Sequence, residues 1–356
     1  MVNGPDSSSN LKHLPIVSMK RVVHAFERLL LLLVGSAMLG AWVAAFLRTL
    51  SDSVPLCELF CHPSLHILAF TTILLGVSGF FWFLRRNSVF SGARWRRRFI
   101  ATLFPFLFYT WVTMPWCLLP LVSSEESTNG IKILSWNVQI GNDNGAMILD
   151  LVNQESPDIV VLIELTPFVA NQIEDLKQAY PFHLIKPHRA SAGMAVYSRL
   201  PNSAFKEIQP GGYSMPAIEL IVQRKNQNKP DLALLCVHTL SPHLDDGLRI
   251  VHRNEQLEEV ANWADNVISE TKSEAVAIGD FNITPWSPPF WRLLEKGKLV
   301  DSTWYRGYFP TWPAGLHQGA IPIDHALVSR GLKILDRKVL PDTYLSDHRP
   351  ITITIE

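Results

Sequence analysis

Three long uncharged stretches, Leu29–Leu47, Leu65–Leu84 and Phe99–Val122, constrain this chain more than any other feature. At a helical rise of about 1.5 Å per residue, each is long enough to cross a hydrocarbon core roughly 30 Å thick. His66 near one end of the second run and Pro105, Pro115 and Pro120 in the third are tolerated in membrane helices. A buried soluble hairpin is the competing reading, but three such runs in close succession disfavour it. A cleaved signal peptide fits poorly because further spans follow the first. Residues 29–122 therefore read as a membrane domain with three transmembrane helices at about 29–47, 65–84 and 99–122. Residues 1–28 read as a mobile tail whose first 19 residues are rich in Ser, Asn and Pro.

Loop charge orients the spans, since short cytoplasmic loops are enriched in Lys and Arg. Arg85, Arg86, Arg94, Arg96, Arg97 and Arg98 crowd the connection between spans two and three, and Lys12, Lys20, Arg21 and Arg28 precede span one. Only Arg48 lies in the stretch from Arg48 to Ser64. The N-terminus and the Arg-rich segment are thus expected in the cytoplasm, and everything beyond residue 122 outside it. The protein is expected to be integral to a bacterial-type inner or plasma membrane, with a polar linker at 123–130 and a domain at 131–356.

Eleven of the 32 basic residues but only four of the 32 acidic ones precede Ser123, so the remainder is acidic although the whole chain is balanced. An acidic domain lacks the broad basic surface from which duplex binding draws its counterion release, although a small patch remains compatible. The four cysteines lack zinc-site spacing. Cys57 and Cys61 can pair in an oxidising compartment or stay free, and Cys117 and Cys236 sit in apolar runs.

Beyond the linker, short apolar runs alternate with helical stretches. The clearest strands are 131–138, 159–163, 194–197, 217–222, 232–237, 275–278, 326–328 and 351–355. Helices are expected near 145–154, 167–178 and 247–269. This alternation predicts a layered α/β domain.

Several strands end in polar residues: Ser135-Trp136-Asn137, Ile163-Glu164, Val237-His238-Thr239, Gly279-Asp280-Phe281-Asn282, Ile323-Asp324-His325 and Ser346-Asp347-His348-Arg349-Pro350. Polar side chains delivered by strand ends into one mouth are how an α/β scaffold builds a site. In this order the motifs resemble those of the endonuclease/exonuclease/phosphatase superfamily, over about two thirds of the chain. G-D-F-N and S-D-H-R-P are the most specific of them. The resemblance implies a four-layered α/β sandwich, two packed β-sheets flanked by helices, and a hydrolase of phosphate esters. It leaves the substrate open.

Glu164 and Asn137 offer hard oxygen ligands suited to Mg²⁺ or Mn²⁺, and Asp347 resembles the family's additional metal-side aspartate. Asp280 is the candidate to position and deprotonate the attacking water, with Asn282 beside it. His348 resembles the phosphate-contacting histidine and Asp324 the carboxylate that keeps it charged. His238 occupies the slot of a phosphate ligand or leaving-group acid where abasic endonucleases place a tyrosine. His325 reads as structural. Trp312, in Phe309–Pro313, resembles an aromatic residue at the rim of the site or packs, and Arg199 either packs or faces phosphate. The alternative to an enzyme is a catalytically silent, membrane-tethered binding domain, disfavoured because all eight site residues are present. The expected partners are the bilayer, through the three helices, and a phosphate ester: a nucleic acid, a lipid headgroup or a small soluble molecule.

Overall fold

A computed structural model describes residues 16–117, 130–201, 203–213, 215–224, 230–242, 247–316, 319–340 and 345–356. The expected end of the third span (118–122) and most of the linker (123–129) lie outside these residues. Chain contacts divide into two compact units, one made of residues up to Ala45 with Ile67–Phe108, the other of Phe46–His66 with Tyr109–Glu356.

The first unit is built from most of the helices α1 (Ile16–Thr49), α2 (Ser64–Arg85) and α3 (Val89–Cys117), all long and apolar enough to cross a membrane, while α1 beyond Ala45, α2 before Ile67 and α3 beyond Phe108 belong to the second unit. Leu32, Leu39, Ile73, Phe80, Ile100 and Phe104 are exposed, as side chains facing lipid must be. A small core of Leu31, Val34, Leu74 and Trp95 packs between the helices. Helix α1 begins well before the apolar stretch, so residues 16–28, expected in a tail, are helical; after Pro15 the sequence holds no breaker until Gly35. Arg94 and Arg96–Arg98 sit on the first turns of α3, and the connection itself is only 86–88. Glu27, the buried acid of α1, pairs with Arg85 at 3.3 Å and accepts hydrogen bonds from Trp95 Nε1 (3.2 Å) and the Ser91 hydroxyl. A carboxylate at such depth requires partners of this kind.

The second unit is a sandwich of two mixed six-stranded sheets. Its strands are β1 (Ile131–Asn137), β2 (Ile159–Ile163), β3 (Phe182–Lys186), β4 (Met194–Ser198), β5 (Ser203–Ile208), β6 (Ala217–Val222), β7 (Leu232–His238), β8 (Glu274–Asp280), β9 (Leu299–Asp301), β10 (Asp324–Ser329), β11 (Ile334–Val339) and β12 (Ile351–Ile355). One sheet runs β11-β12-β1-β2-β4-β3 and the other β5-β6-β7-β8-β10-β9. The helices are α4 (Gly145–Glu155), α5 (Pro167–Gln172), α6 (Leu176–Ala179), α7 (Gly247–Asn266) and α8 (Pro288–Lys296). The single helix expected over 167–178 is broken at Ile173, which leaves the helical region.

Both faces of the central strands are covered, which is why their sequences read as unbroken apolar runs. Ile133, Val161 and Ile163 of one sheet share a core with Leu234, Cys236 and Ile278 of the other. Leu134 and Leu162 turn instead toward Ile148 and Val169, while Leu235 and Ala277 turn toward Leu257, Val260 and Phe290. The layers are therefore helix, sheet, sheet, helix. Each sheet holds one parallel pair, β1 with β2 and β7 with β8, joined through α4 and α7 respectively. Within each pair both strands end at the same edge, with Asn137 beside Ile163 and His238 beside Asp280.

Candidate active site

Those four strand ends supply the floor of the site. Asn137 is the last residue of β1 and Glu164 follows β2; His238 and Asp280 end β7 and β8. Strand β10 runs antiparallel to β8 and begins at Asp324, directly opposite Asp280. Gly279 is required where it stands, because at φ 143° a Cβ would meet the Val237 carbonyl oxygen at 2.0 Å. Glu164 at φ 60° and Asn282 at φ 49° adopt left-handed conformations that turn the chain immediately after β2 and β8. Asn tolerates this region, whereas at Glu164 it is held against preference, a pattern concentrated at functional sites.

Six of the eight expected residues, Glu164, His238, Asp280, Asn282, Asp347 and His348, line one pocket of about 510 Å³. The other two stand behind it. The Asn137 amide donates to Glu164 Oε1 and to Asp280 Oδ2, both at 3.1 Å. Its own oxygen accepts the Gln139 N–H at 3.0 Å, which fixes the amide orientation. Asn137, expected as a metal ligand, thus bridges and orients two carboxylates here. Asp324 Oδ2 lies 2.9 Å from His348 Nδ1, and Nε2 of the same ring faces Asp280 Oδ2 at 3.7 Å.

Burial alone would lower the pKa of His348, but the Asp324 and Asp280 carboxylates outweigh it and raise it to about 10. His348 is therefore an imidazolium at neutral pH. Burial pushes the Asp280 carboxyl up to about 7, with the His348 charge and the hydrogen bonds from the Asn282 N–H and the Asn137 amide opposing the rise. His238 goes the other way, since burial lowers it to about 4 despite Glu164 nearby. Its Nδ1 meets the Ser191 carbonyl at 3.1 Å, so in the neutral ring that nitrogen carries the proton. Nε2, 3.8 Å from both Glu164 and Asp280, is then an acceptor. To donate to a phosphate or a leaving group, His238 must first gain a proton.

The charge and ligand types of the donor set suit a divalent cation. Glu164, Asp280 and Asp347 converge on the pocket with Asp324 behind them, against the cationic His348 and Arg249, the one Arg or Lys among the described lining residues. Hard oxygen donors in excess of cations fit Mg²⁺ or Mn²⁺. Asp280, Asp324 and His348 also offer ligand atoms within 4.8 Å of one another. That trio reads better as an ion network, because a cation there would have to displace the shared imidazolium proton. Glu164 and Asp347 are the freer ligands. Glu164 Oε2 accepts from the Ile140 N–H at 2.9 Å, and Asp347 Oδ2 from Trp312 Nε1 at 3.0 Å.

Several residues in the site were not singled out from the sequence. The Ser346 hydroxyl donates to the Asn137 carbonyl at 2.7 Å and accepts the His348 N–H, and Thr311 Oγ1 accepts the Asp324 N–H. Arg253, fully buried, donates to the Asn282 carbonyl at 2.7 Å and pairs with Glu58 at 2.5 Å. A signal existed: Arg253 falls on the apolar stripe of α7 between Ile250 and Leu257, where an arginine needs a buried partner. Trp312 lines the rim as expected. Arg199 bonds the Tyr180 hydroxyl at 2.9 Å and stacks on its ring, a packing role. His325, bonded to the Ile283 carbonyl at 2.8 Å, is structural.

A family model described as the Endonuclease/Exonuclease/phosphatase family matches residues 134–348. No curated protein matches. Among solved structures, the endonuclease/exonuclease/phosphatase from Beutenbergia cavernae DSM 12333 is 19% identical with a TM-score of 0.51, covering 64% of this chain and 71% of its own. D. rerio TDP2 complexed with single strand DNA product is 14% identical with a TM-score of 0.51, covering 64% and 99%. Truncated Caenorhabditis elegans TDP2 is 16% identical with a TM-score of 0.50, covering 64% and 98%. At these identities the likeness to solved structures is one of fold.

Proposed function

The chain belongs to the endonuclease/exonuclease/phosphatase family, and on that premise we propose that it is a membrane-anchored hydrolase of phosphate esters that works with Mg²⁺ or Mn²⁺. The observation that carries this reading is the Asp324–His348–Asp280 chain, a buried imidazolium held between two carboxylates at the mouth of a sandwich. Family members generally act on phosphate esters, and this arrangement supplies what such a reaction needs.

Asp280, with a carboxyl poised near neutrality, takes the proton of a water aimed at phosphorus, and Asn282 restricts where that water sits. The water oxygen forms a new P–O bond as the ester P–O bond opposite it breaks; the departing oxygen takes up a proton from solvent, and Asp280 returns the proton of the attacking water to solvent. His348 neutralises charge on the phosphoryl oxygens, held in place by Asp324. Glu164 and Asp347 would hold a divalent cation, which would supply further neutralisation of phosphoryl charge. Asn137 keeps Glu164 and Asp280 from drifting apart.

Residues 46–66 and 109–356 form one unit, so the first interhelical connection shares a side with the sandwich. The turn between α2 and α3 is the Arg-rich one, and the positive-inside rule favours a sandwich on the side opposite that turn, outside the cytoplasm. This supports an extracytoplasmic enzyme.

The test is hydrolysis of p-nitrophenyl phosphate and bis-p-nitrophenyl phosphate by the full-length protein in detergent. Activity is expected with Mg²⁺ or Mn²⁺, to vanish with chelator, and to need more metal in Glu164→Gln. Full activity in chelator, or restoration by zinc alone, would overturn the metal assignment.

A further inference from the structure

We infer that the substrate of this site is a phosphate ester borne by a membrane lipid, an inference that rests on the phosphoesterase reading above. Two of the residues lining the catalytic pocket, Leu59 and His62, come from the connection between α1 and α2 and not from the family-matched region. His62 precedes by two residues Ser64, where the second apolar helix begins. Two residues of chain reach at most about 7 Å, so His62 stands within that distance of the first residue of a helix long and apolar enough to cross a membrane.

This connection is fixed to the sandwich by buried polar contacts. Arg48 donates to the Ser64 hydroxyl at 3.1 Å and to the Trp286 carbonyl. His62 Nδ1 meets Thr284 Oγ1 at 3.2 Å, and Trp286 Nε1 donates to the His62 carbonyl at 3.2 Å. The Glu58–Arg253 pair continues to the backbone of Asn282. Thr284 and Trp286 lie just beyond the G-D-F-N motif, so the connection grips the same loop that carries Asp280 and Asn282. The segment that leads into the second apolar helix is thereby built into the pocket wall.

The chemistry of the wall agrees. Around the carboxylate and histidine floor stand Leu59, Ile140, Met215, Trp312 and Ile321, with Ile140 and Trp312 still solvent-exposed. Arg249 is the one Arg or Lys among the described lining residues, its Nε bonded to the Ser241 carbonyl. A polyanion needs several cations along its track. A lipid phosphate needs charge at one phosphoryl group and apolar surface beside it, as this pocket provides.

The experiment reconstitutes the full-length protein with Mg²⁺ into vesicles of the total lipid extract of its expression host. Lipid turnover is followed by phosphorus NMR, beside glycerophosphodiesters made by deacylating that extract, bis-p-nitrophenyl phosphate and single-stranded DNA. The expected result is that at least one lipid is hydrolysed with kcat/KM about tenfold or more above its deacylated counterpart. Leu59→Asp should lower that lipid-to-soluble ratio about tenfold. Equal or better turnover of soluble diesters or DNA than of every lipid would overturn the inference and leave the phosphoesterase reading intact. Absence of hydrolysis of every ester, bis-p-nitrophenyl phosphate included, would overturn both.

Discussion

Glu58 and Arg253, from an interhelical connection and from α7, form a fully buried ion pair with Oε2 and Nη2 2.5 Å apart. Arg253 spends a second donor, Nη1, on the Asn282 carbonyl, so a residue outside the family-matched region helps fix a residue inside the active site. Removing one partner of such a pair leaves an uncompensated charge in a dry interior.

Glu58→Ala is therefore expected to destabilise the second unit by about 3–5 kcal/mol, read as a fall in melting temperature. Replacing both residues, as Glu58→Leu with Arg253→Met, should recover much of that stability because no buried charge remains. It should not recover kcat, since Asn282 still lacks its donor. Recovery of both together would mean that Arg253 serves packing alone.

The Asp324–His348 pair leads to a second expectation. If carboxylate and imidazolium act as one unit, Asp324→Asn and His348→Ala should each lose roughly tenfold or more in kcat/KM, the worth of a charged hydrogen bond of about 1.5–3 kcal/mol. The double mutant should be little worse than either single mutant. Losses that multiply would show that the two residues act independently.

The shifted acids and bases set the pH dependence. With Asp280 near 7 and His348 near 10, kcat/KM should rise as pH passes through about 7 and fall as it passes through about 10. Asp280→Asn should remove the acidic limb along with most activity, and raising Mg²⁺ should move that limb lower, because a divalent cation favours the carboxylate. For stability the sign is fixed by His348 being raised above its ordinary 6.5: its contribution is fully present below about 6.5 and is lost as pH rises through about 10. His348→Gln should flatten the stability curve over that window, measured by thermal melts across the pH range.

The candidate site is legible in the sequence because its residues follow apolar strands in the order of one motif series; a single Glu or Asp after a strand would read as a surface charge or a turn residue. β2 and β12 were read to their last residue, being buried on both faces. β3, β5, β9 and β11 are not among the expected strands: β9 is only three residues long, and the half-exposed sequences of the others, such as Ser203–Ile208, mix charges with apolar residues and resemble loops. Helix α8 opens with Pro288-Pro289 and was hidden by it. Neither Glu58 nor His62 was legible as part of the site, because the link from the first connection to G-D-F-N is made by tertiary packing across more than 190 residues. At Asn137 the residue type suggests a ligand, and its amide contacts with Glu164 and Asp280 are made by tertiary packing that no sequence spacing shows.

Topology provides the last expectation. Phe46–His66 belongs to the same unit as Tyr109–Glu356, and the three helices that flank these segments are each long and apolar enough to cross a membrane. Two reporters on one side should therefore agree. A cysteine placed at the exposed Asp52 and protease sites in the sandwich should both be reached in intact spheroplasts by an impermeant maleimide and by added protease. A cysteine placed at Ser88, in the turn beside Arg85 and Arg86, should react only after the membrane is opened. The Asp52 position also pairs with Arg292 of α8 at 2.7 Å, so labelling there reads the side of the sandwich as well as of the connection. Labelling at Ser88 and protection at Asp52 would invert the orientation. Labelling at Asp52 with a protected sandwich would break the single unit on which the proposed site depends.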